Sequence, residues 1–157
     1  MIAYYEVTKS IYEHLIADND VNTVKIGVEQ INDVDMNKQE IYPLSHIFIS
    51  GAEFVTGVVR FTITVSVIDM VDINKKNLRE ENEIWKGIDN EQDVLNSTLA
   101  VIENLDKSLR SGLLQDNDWE LQGTTSAVRV RDTFPNLAIG WSVDFTIDVP
   151  NTIQNCG

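Results

Sequence analysis

Cysteine is nearly absent: Cys156 is the single one in 157 residues. A lone thiol excludes an internal disulfide framework and a cysteine-built metal cluster, and it suits a chain made in a reducing compartment. Basic charge is scarce as well. Twelve Lys and Arg are scattered among twenty-five Asp and Glu, giving a formal net charge of -13. Phosphate recognition draws on clustered Lys and Arg, so sequence-specific DNA binding is not expected. Such a chain repels nucleic acid passing near it. No apolar run approaches the ~20 residues of a membrane helix. The opening residues MIAYYEVTKS show neither the basic n-region nor the apolar h-region of a secretory signal. The expectation is a soluble protein made in the cytosol. There is no phosphate-binding glycine loop, no GxSxG elbow, no HExxH and no CxxC.

What the chain does have is alternation. Residues 57–71 read GVVRFTITVSVIDMV, with Val59, Phe61, Ile63, Val65 and Val67 apolar and Arg60, Thr62, Thr64 and Ser66 between them. A period of two sends successive side chains to opposite faces of a strand. The pattern predicts a strand of an antiparallel sheet with one greasy and one polar face, reaching ~40 Å at 3.3 Å per residue. Residues 137–149, LAIGWSVDFTIDV, alternate more cleanly still. Leu137, Ile139, Trp141, Val143, Phe145, Ile147 and Val149 take the odd positions, and Pro150 stops the run.

Around these runs the remaining elements fall in order. Residues 3–17 predict a helix, with Ala3, Val7, Ile11 and Leu15 joined by Tyr5, Tyr12 and Ile16 in one apolar stripe. Asp18-Asn19-Asp20 ends it. Residues 23–28 predict a short strand, 29–43 a loop, and 44–50 a strand. That strand forms a hairpin with 57–71 through a turn at 51–56, punctuated by Gly51 and Gly57. Residues 72–88, DINKKNLREENEIWKGI, form a charged loop or arm. Two readings are open for its Ile84 and Trp85: packing back on the core, or anchoring a neighbouring subunit.

Residues 89–112 give the clearest helix. Leu95, Thr98, Leu99, Ile102, Leu105 and Leu109 lie at helical spacing. Asp89 serves as N-cap with Gln92 three residues on, and Gly112 as C-cap. Short strands are expected at 119–121 and at 125–131, the latter with Val128 and Val130 on one face and Arg129 and Arg131 on the other. Neighbouring strands are expected to pair antiparallel, and the two long alternating runs to lie side by side with both helices on their apolar side. The fold class is therefore α+β, two-layered, a mostly antiparallel sheet with two helices packed on one face. Residues 1–157 form one domain, with 150–157 as a tail. The polar face carries Arg60, Thr62, Thr64, Asp144 and Thr146, and it is left for solvent or other chains.

Candidate chemistry is thin. Asp18, Asp20, Asn22 and Glu29 fall at positions one, three, five and twelve of a calcium loop. Position six, however, is Thr23 where the sharp turn needs Gly, and Val24–Val28 leave as a strand. The acidic groups Asp69 with Asp72, and Asp116, Asp118 and Glu120, are read as solvated strand ends and not as acid–base pairs. His14 is read as a rim histidine of the first helix, and His46 as a sheet histidine sharing a face with Leu44 and Phe48. No catalytic residue, cofactor or metal is expected.

The segments IYPLSHIFISGAEFVTGVVRFTITVSVIDMVD and RDTFPNLAIGWSVDFTIDVPN, set around one long helix, resemble tail terminator (tail completion) proteins of long-tailed bacteriophages. They are similar above all to versions from phages of Bacteroidetes-type hosts. The resemblance rests on element order and on local strings such as Tyr42-Pro43-Leu44 and Gly140-Trp141. It implies a non-enzymatic virion protein of the tail and neck, held in the host cytoplasm before assembly. Such proteins form a ring, commonly a homohexamer, that caps the tail tube and joins it to the head connector, with DNA passing through the lumen unbound. The partners implied are further copies of the chain, the tail tube protein and the neck protein, and no membrane. Candidate subunit contacts are Ile84, Trp85, Arg129 and Arg131. The alternatives are another neck or tail-tube component, an acidic module binding a basic protein, or a small hydrolase or calcium-dependent enzyme built on dispersed carboxylates.

Overall fold

The computed structural model describes residues 3–27, 42–71, 90–111, 118–130 and 138–150. Its elements are α1 (Ala3–Ile16), β1 (Thr23–Gly27), β2 (Leu44–Val55), β3 (Val58–Met70), α2 (Asn90–Ser111), β4 (Glu120–Leu121), β5 (Ala127–Val130) and β6 (Ala138–Pro150). The strands make one six-stranded sheet in the order β1-β2-β3-β6-β4, with β5 also on β6. The fold is α+β, with both helices on one face of a mostly antiparallel sheet.

The two long alternating runs lie side by side. β3 and β6 pair antiparallel from Val58 opposite Pro150 to Met70 opposite Ala138. This register puts all the odd residues of both strands on one face. Val59, Phe61, Ile63, Val65 and Val67 of β3 and Val143, Phe145, Ile147 and Val149 of β6 are buried there. The helices complete that layer with Val7, Ile11 and Leu15 of α1 and Val101, Ile102, Leu105 and Leu109 of α2. Apolar burial of this kind stabilises by about 25 cal/mol per Å² removed from water. The Trp141 indole N–H donates to the Leu95 carbonyl at 2.9 Å, fixing the first half of α2 to the sheet while satisfying a polar group that is part-buried.

Four expectations are corrected. First, β1 pairs with β2 parallel, Thr23 opposite Leu44 through Gly27 opposite Phe48, and not antiparallel. A parallel neighbour needs a crossover of a dozen or more residues, and the chain between β1 and β2 has that length. The amides of Asn22 and Thr23 both donate to the Pro43 carbonyl, which starts the pair.

Second, the hairpin turn lies at Thr56-Gly57 and not at 51–56. β2 shifts register between Ile49 and Gly51 and runs on to Val55. A bulge at Ser50 lets the strand continue, and the left-handed backbone falls at Gly57, with φ of 80°. A residue without Cβ meets that demand without steric cost.

Third, the apolar residues of α1 form two stripes. Ala3, Val7, Ile11 and Leu15 are buried, but Tyr5 is 74% exposed, and Tyr12 and Ile16 also face out. On α2, likewise, Val101 is buried and Leu99 exposed. Fourth, the helix-free face is not polar along its whole length. Leu44, Ile68 and Ala138 form a buried cluster on it, with Tyr42 and Val130 packed against them.

Ser45 lies on the helix side of β2, opposite Val67, fully buried, and its hydroxyl has no hydrogen-bond partner. A buried polar atom left unpaired costs about 1–3 kcal/mol. Ser45→Ala is therefore expected to stabilise the chain by about 1 kcal/mol, seen as a thermal midpoint higher by about 2–4 °C.

Candidate functional surface

The helix-free face of β3 and β6 carries cross-strand polar pairs set by the same register. Arg60 lies opposite Asp148, Thr62 opposite Thr146, Thr64 opposite Asp144 and Ser66 opposite Ser142. The guanidinium of Arg60 donates from Nε and Nη2 to the two oxygens of Asp148 at 2.7 and 2.9 Å. Gln122 adds a third bond to Asp148 Oδ2 at 3.1 Å. Such two-point Arg–carboxylate pairing is both directional and charge-assisted. The Asp148 hydrogen bond and charge hold the Arg60 pKa above its ordinary value, with smaller help from Glu53 and Glu120. The Thr64 hydroxyl donates to Asp144 at 2.6 Å, and the Ser66 and Ser142 hydroxyls lie 3.0 Å apart.

From Arg60 to Ser66 and from Ser142 to Asp148 this surface is polar, and it gives way to the buried cluster of Leu44, Ile68 and Ala138 at its other end. Asp148 is occupied by Arg60 and Gln122 and Asp144 by Thr64, and the serine pair is set in a sheet with cross-strand partners at fixed positions.

The calcium-loop residues do other work. Asp18 Oδ1 accepts the Asp20 amide at 3.0 Å, and Asp18 Oδ2 accepts from Asn104 at 3.3 Å. Asp18 thus closes the turn after α1 and ties it to α2, and a strand follows. Glu29 lies outside the described residues. Among the described residues, no group of three His, Cys, Asp or Glu side chains is placed to hold a metal ion. Asp118 is exposed at the start of β4 with φ of 62°, and Glu120 lies opposite Asp148. Asp72 and Asp116 lie outside the described residues.

Of the candidate contact residues, Arg129 is on β5, exposed, with its Nη2 3.4 Å from Glu91 of α2. Ile84, Trp85 and Arg131 lie outside the described residues. The arm 72–88 does so entirely, as does the tail beyond Pro150. Sequence reasoning missed Phe54, which is 81% exposed near the tip of the β2–β3 hairpin, and Val128, 66% exposed on β5. The signal for Phe54 was present: a large aromatic in a segment taken for a turn.

His46 is buried on the helix-free face between Leu44 and Phe48 and opposite Ser66. Burial pushes its pKa below 6.5. His14 is also lowered by burial, with Asp18 opposing. The unfolded chain therefore protonates these imidazoles at a higher pH than the folded chain does, and folding stability falls as pH drops below about 6.5. Asp69 has the opposite sign. Burial raises its carboxyl above 3.8, and the hydrogen bond from the Met70 amide pulls it back. Its contribution is a penalty at neutral pH that is relieved on acidification through the raised value. Urea midpoints are thus expected to decline from pH 7.5 to 5.5, and to decline less in His46→Gln. A midpoint flat over that range would show both imidazoles to be solvated.

Comparison of the chain with protein-family models and with curated proteins found no match. Among the described residues, no helix is long and apolar enough to cross a membrane.

Proposed function

We propose that this chain is a non-catalytic structural subunit of a phage tail, a tail terminator whose copies close into a ring on the tube and meet the head connector. The observation that carries the reading is one half of the helix-free face of the β3–β6 pair, from Arg60 to Thr64 and from Asp144 to Asp148: a polar stretch whose charged groups are already partnered. A surface of that kind suits the wall of a channel. Lined by a chain of net charge -13, a channel repels the phosphates of DNA and lets it slide without sticking. The sequence resemblance to tail terminators supports the same reading. Its further elements are proposals with it: a hexameric ring, a tail-tube partner below, a neck partner above, and a virion location.

The test is negative-stain imaging and sedimentation of the full chain, alone and with purified tail tubes. Rings with a central hole, free or seated at one end of each tube, are expected. Because each copy carries a large like charge, higher salt is expected to favour assembly by screening repulsion. A monomer under all these conditions, with tubes left uncapped, overturns the proposal. If the chain itself polymerises into tubes, it is a tail-tube component instead.

A further inference from the structure

We propose that two edges of the sheet left open among the described residues pair with each other between copies of this chain, Glu53–Val55 of β2 in one copy against Val128–Val130 of β5 in the next. The inference rests on the ring reading above and supplies the contact that reading lacks.

β1 covers β2 only from Leu44 to Phe48. Beyond that, every residue from Ser50 to Gly57 is exposed. On the far side of the sheet, β5 pairs with β6 at Gly140–Val143, and Val128 and Arg129 are exposed. Exposed strand edges are templates for further pairing, blunted in many chains by charges, Pro or bulges; here each edge carries one charge of opposite sign, Glu53 and Arg129. Neither 50–55 nor 127–130 holds a Lys or a Pro. The bulge at Ser50 falls at the beginning of the open stretch and leaves the strand beyond it regular.

The faces match. β2, β3, β6 and β5 alternate in direction. A neighbour related by rotation about an axis along the strands therefore presents β5 antiparallel to β2. Val55 shares the helix-free face with its partner Val58, and Val128 shares it with Ser142. Phe54 and Arg129 both point to the helix side, opposite Val59 and Trp141 respectively. The antiparallel register that sets Val55 against Val128 also sets Phe54 against Arg129. The first pair removes two exposed valines from water. The second lays a guanidinium on an aromatic ring, a favourable cation–π contact.

The two edges sit at different heights, since β5 is level with the Leu44–Ile47 half of β2 and the open half lies nearer the hairpin tip. Joining them steps each copy along the strand direction. Closed sheets carry such a stagger, with strands tilted about 35–45°. A contact between unlike edges closes into a ring if the rotation closes, and otherwise makes a filament.

The test uses the full chain with Cys156→Ser and cysteines at the two exposed valines. Val55→Cys and Val128→Cys variants are prepared separately, checked for unchanged circular dichroism, mixed under assembly conditions and mildly oxidised. A disulfide-linked dimer is expected in the mixture and in neither variant alone. A chain carrying both cysteines should give a ladder of cross-linked species. Phe54→Lys, which sets a like charge against Arg129, should abolish assembly while leaving the monomer folded. If the wild type forms rings but the mixture gives no dimer, or one variant alone links as strongly as the mixture, the edge pairing is overturned and the ring reading stands. If the wild type never assembles, with tubes or without, both are overturned.

Discussion

Gly140→Ala is expected to cost about 4 kcal/mol or more, placing it among the few substitutions of exceptional effect. Gly140 lies inside the sheet, on β6, with Ile68 of β3 on one side and Val130 of β5 on the other. A Cβ built there would run into the Val67 carbonyl oxygen and stand 2.8 Å from the Ile68 Cα and 2.9 Å from the Val67 carbonyl carbon. Those are main-chain atoms, which no rotamer change can move. β3 has no room to retreat, because β2 holds it along its other edge from Leu44 opposite Ile68 to Val55 opposite Val58. The added methyl therefore breaks the β3–β6 ladder next to the buried Leu44, Ile68 and Ala138. Gly51→Ala is the control: a Cβ there meets nothing within 4 Å, and the change is expected to stay within about 0.5 kcal/mol. Chemical denaturation of the two variants reads the contrast directly. A Gly140→Ala protein as stable as wild type would mean that β3 and β6 do not approach as closely as the ladder requires.

The β3–β6 ladder was the most legible feature of the sequence because two physical constraints coincide in it. One face must be buried, so a slip of one residue would turn every apolar side chain outward. The polar positions then had to match as well. Arg60 and Asp148 are 88 positions apart, yet the antiparallel register that joins them also joins Thr64 to Asp144. Charge and hydrogen-bond complementarity between the two runs was thus a readable signal for pairing.

Other features could not be read from pattern alone. The parallel docking of β1 has no signal in the sequence of 29–43, which is polar and without a clear period. The turn was misplaced because Gly51 and Gly57 look alike in sequence, and only Gly57 takes the left-handed conformation. Tyr5, Tyr12 and Ile16 are as hydrophobic as the buried stripe of α1, and which flank meets the sheet is decided by packing. On the surface, Arg129 was singled out for its charge, whereas the exposure of Phe54 and Val128 followed from where the sheet ends.

Phe145→Ala and Thr146→Ala test the assignment of the two faces with neighbouring residues of one strand. Phe145 is fully buried on the helix side, opposite Ile63 of β3 and within the cluster that holds Leu105 and Leu109 of α2. Its truncation removes a large apolar side chain and leaves a cavity lined by strands and helices that cannot collapse together. The expected loss is about 3–5 kcal/mol, or a thermal midpoint lower by roughly 10 °C at about 2–4 °C per kcal/mol for a chain of this length. Thr146 stands on the helix-free face opposite Thr62. The bond that ties it to the 118–130 segment runs from the Gln122 amide to its main-chain carbonyl at 2.8 Å, and the substitution preserves it. Thr146→Ala is therefore expected to change stability by no more than about 0.5 kcal/mol. If Phe145→Ala were mild and Thr146→Ala severe, the helices would cover the other face. The surface proposed to line a channel would then be the core, and the polar ladder of Arg60 and Asp148 would have to be explained as a buried ion pair.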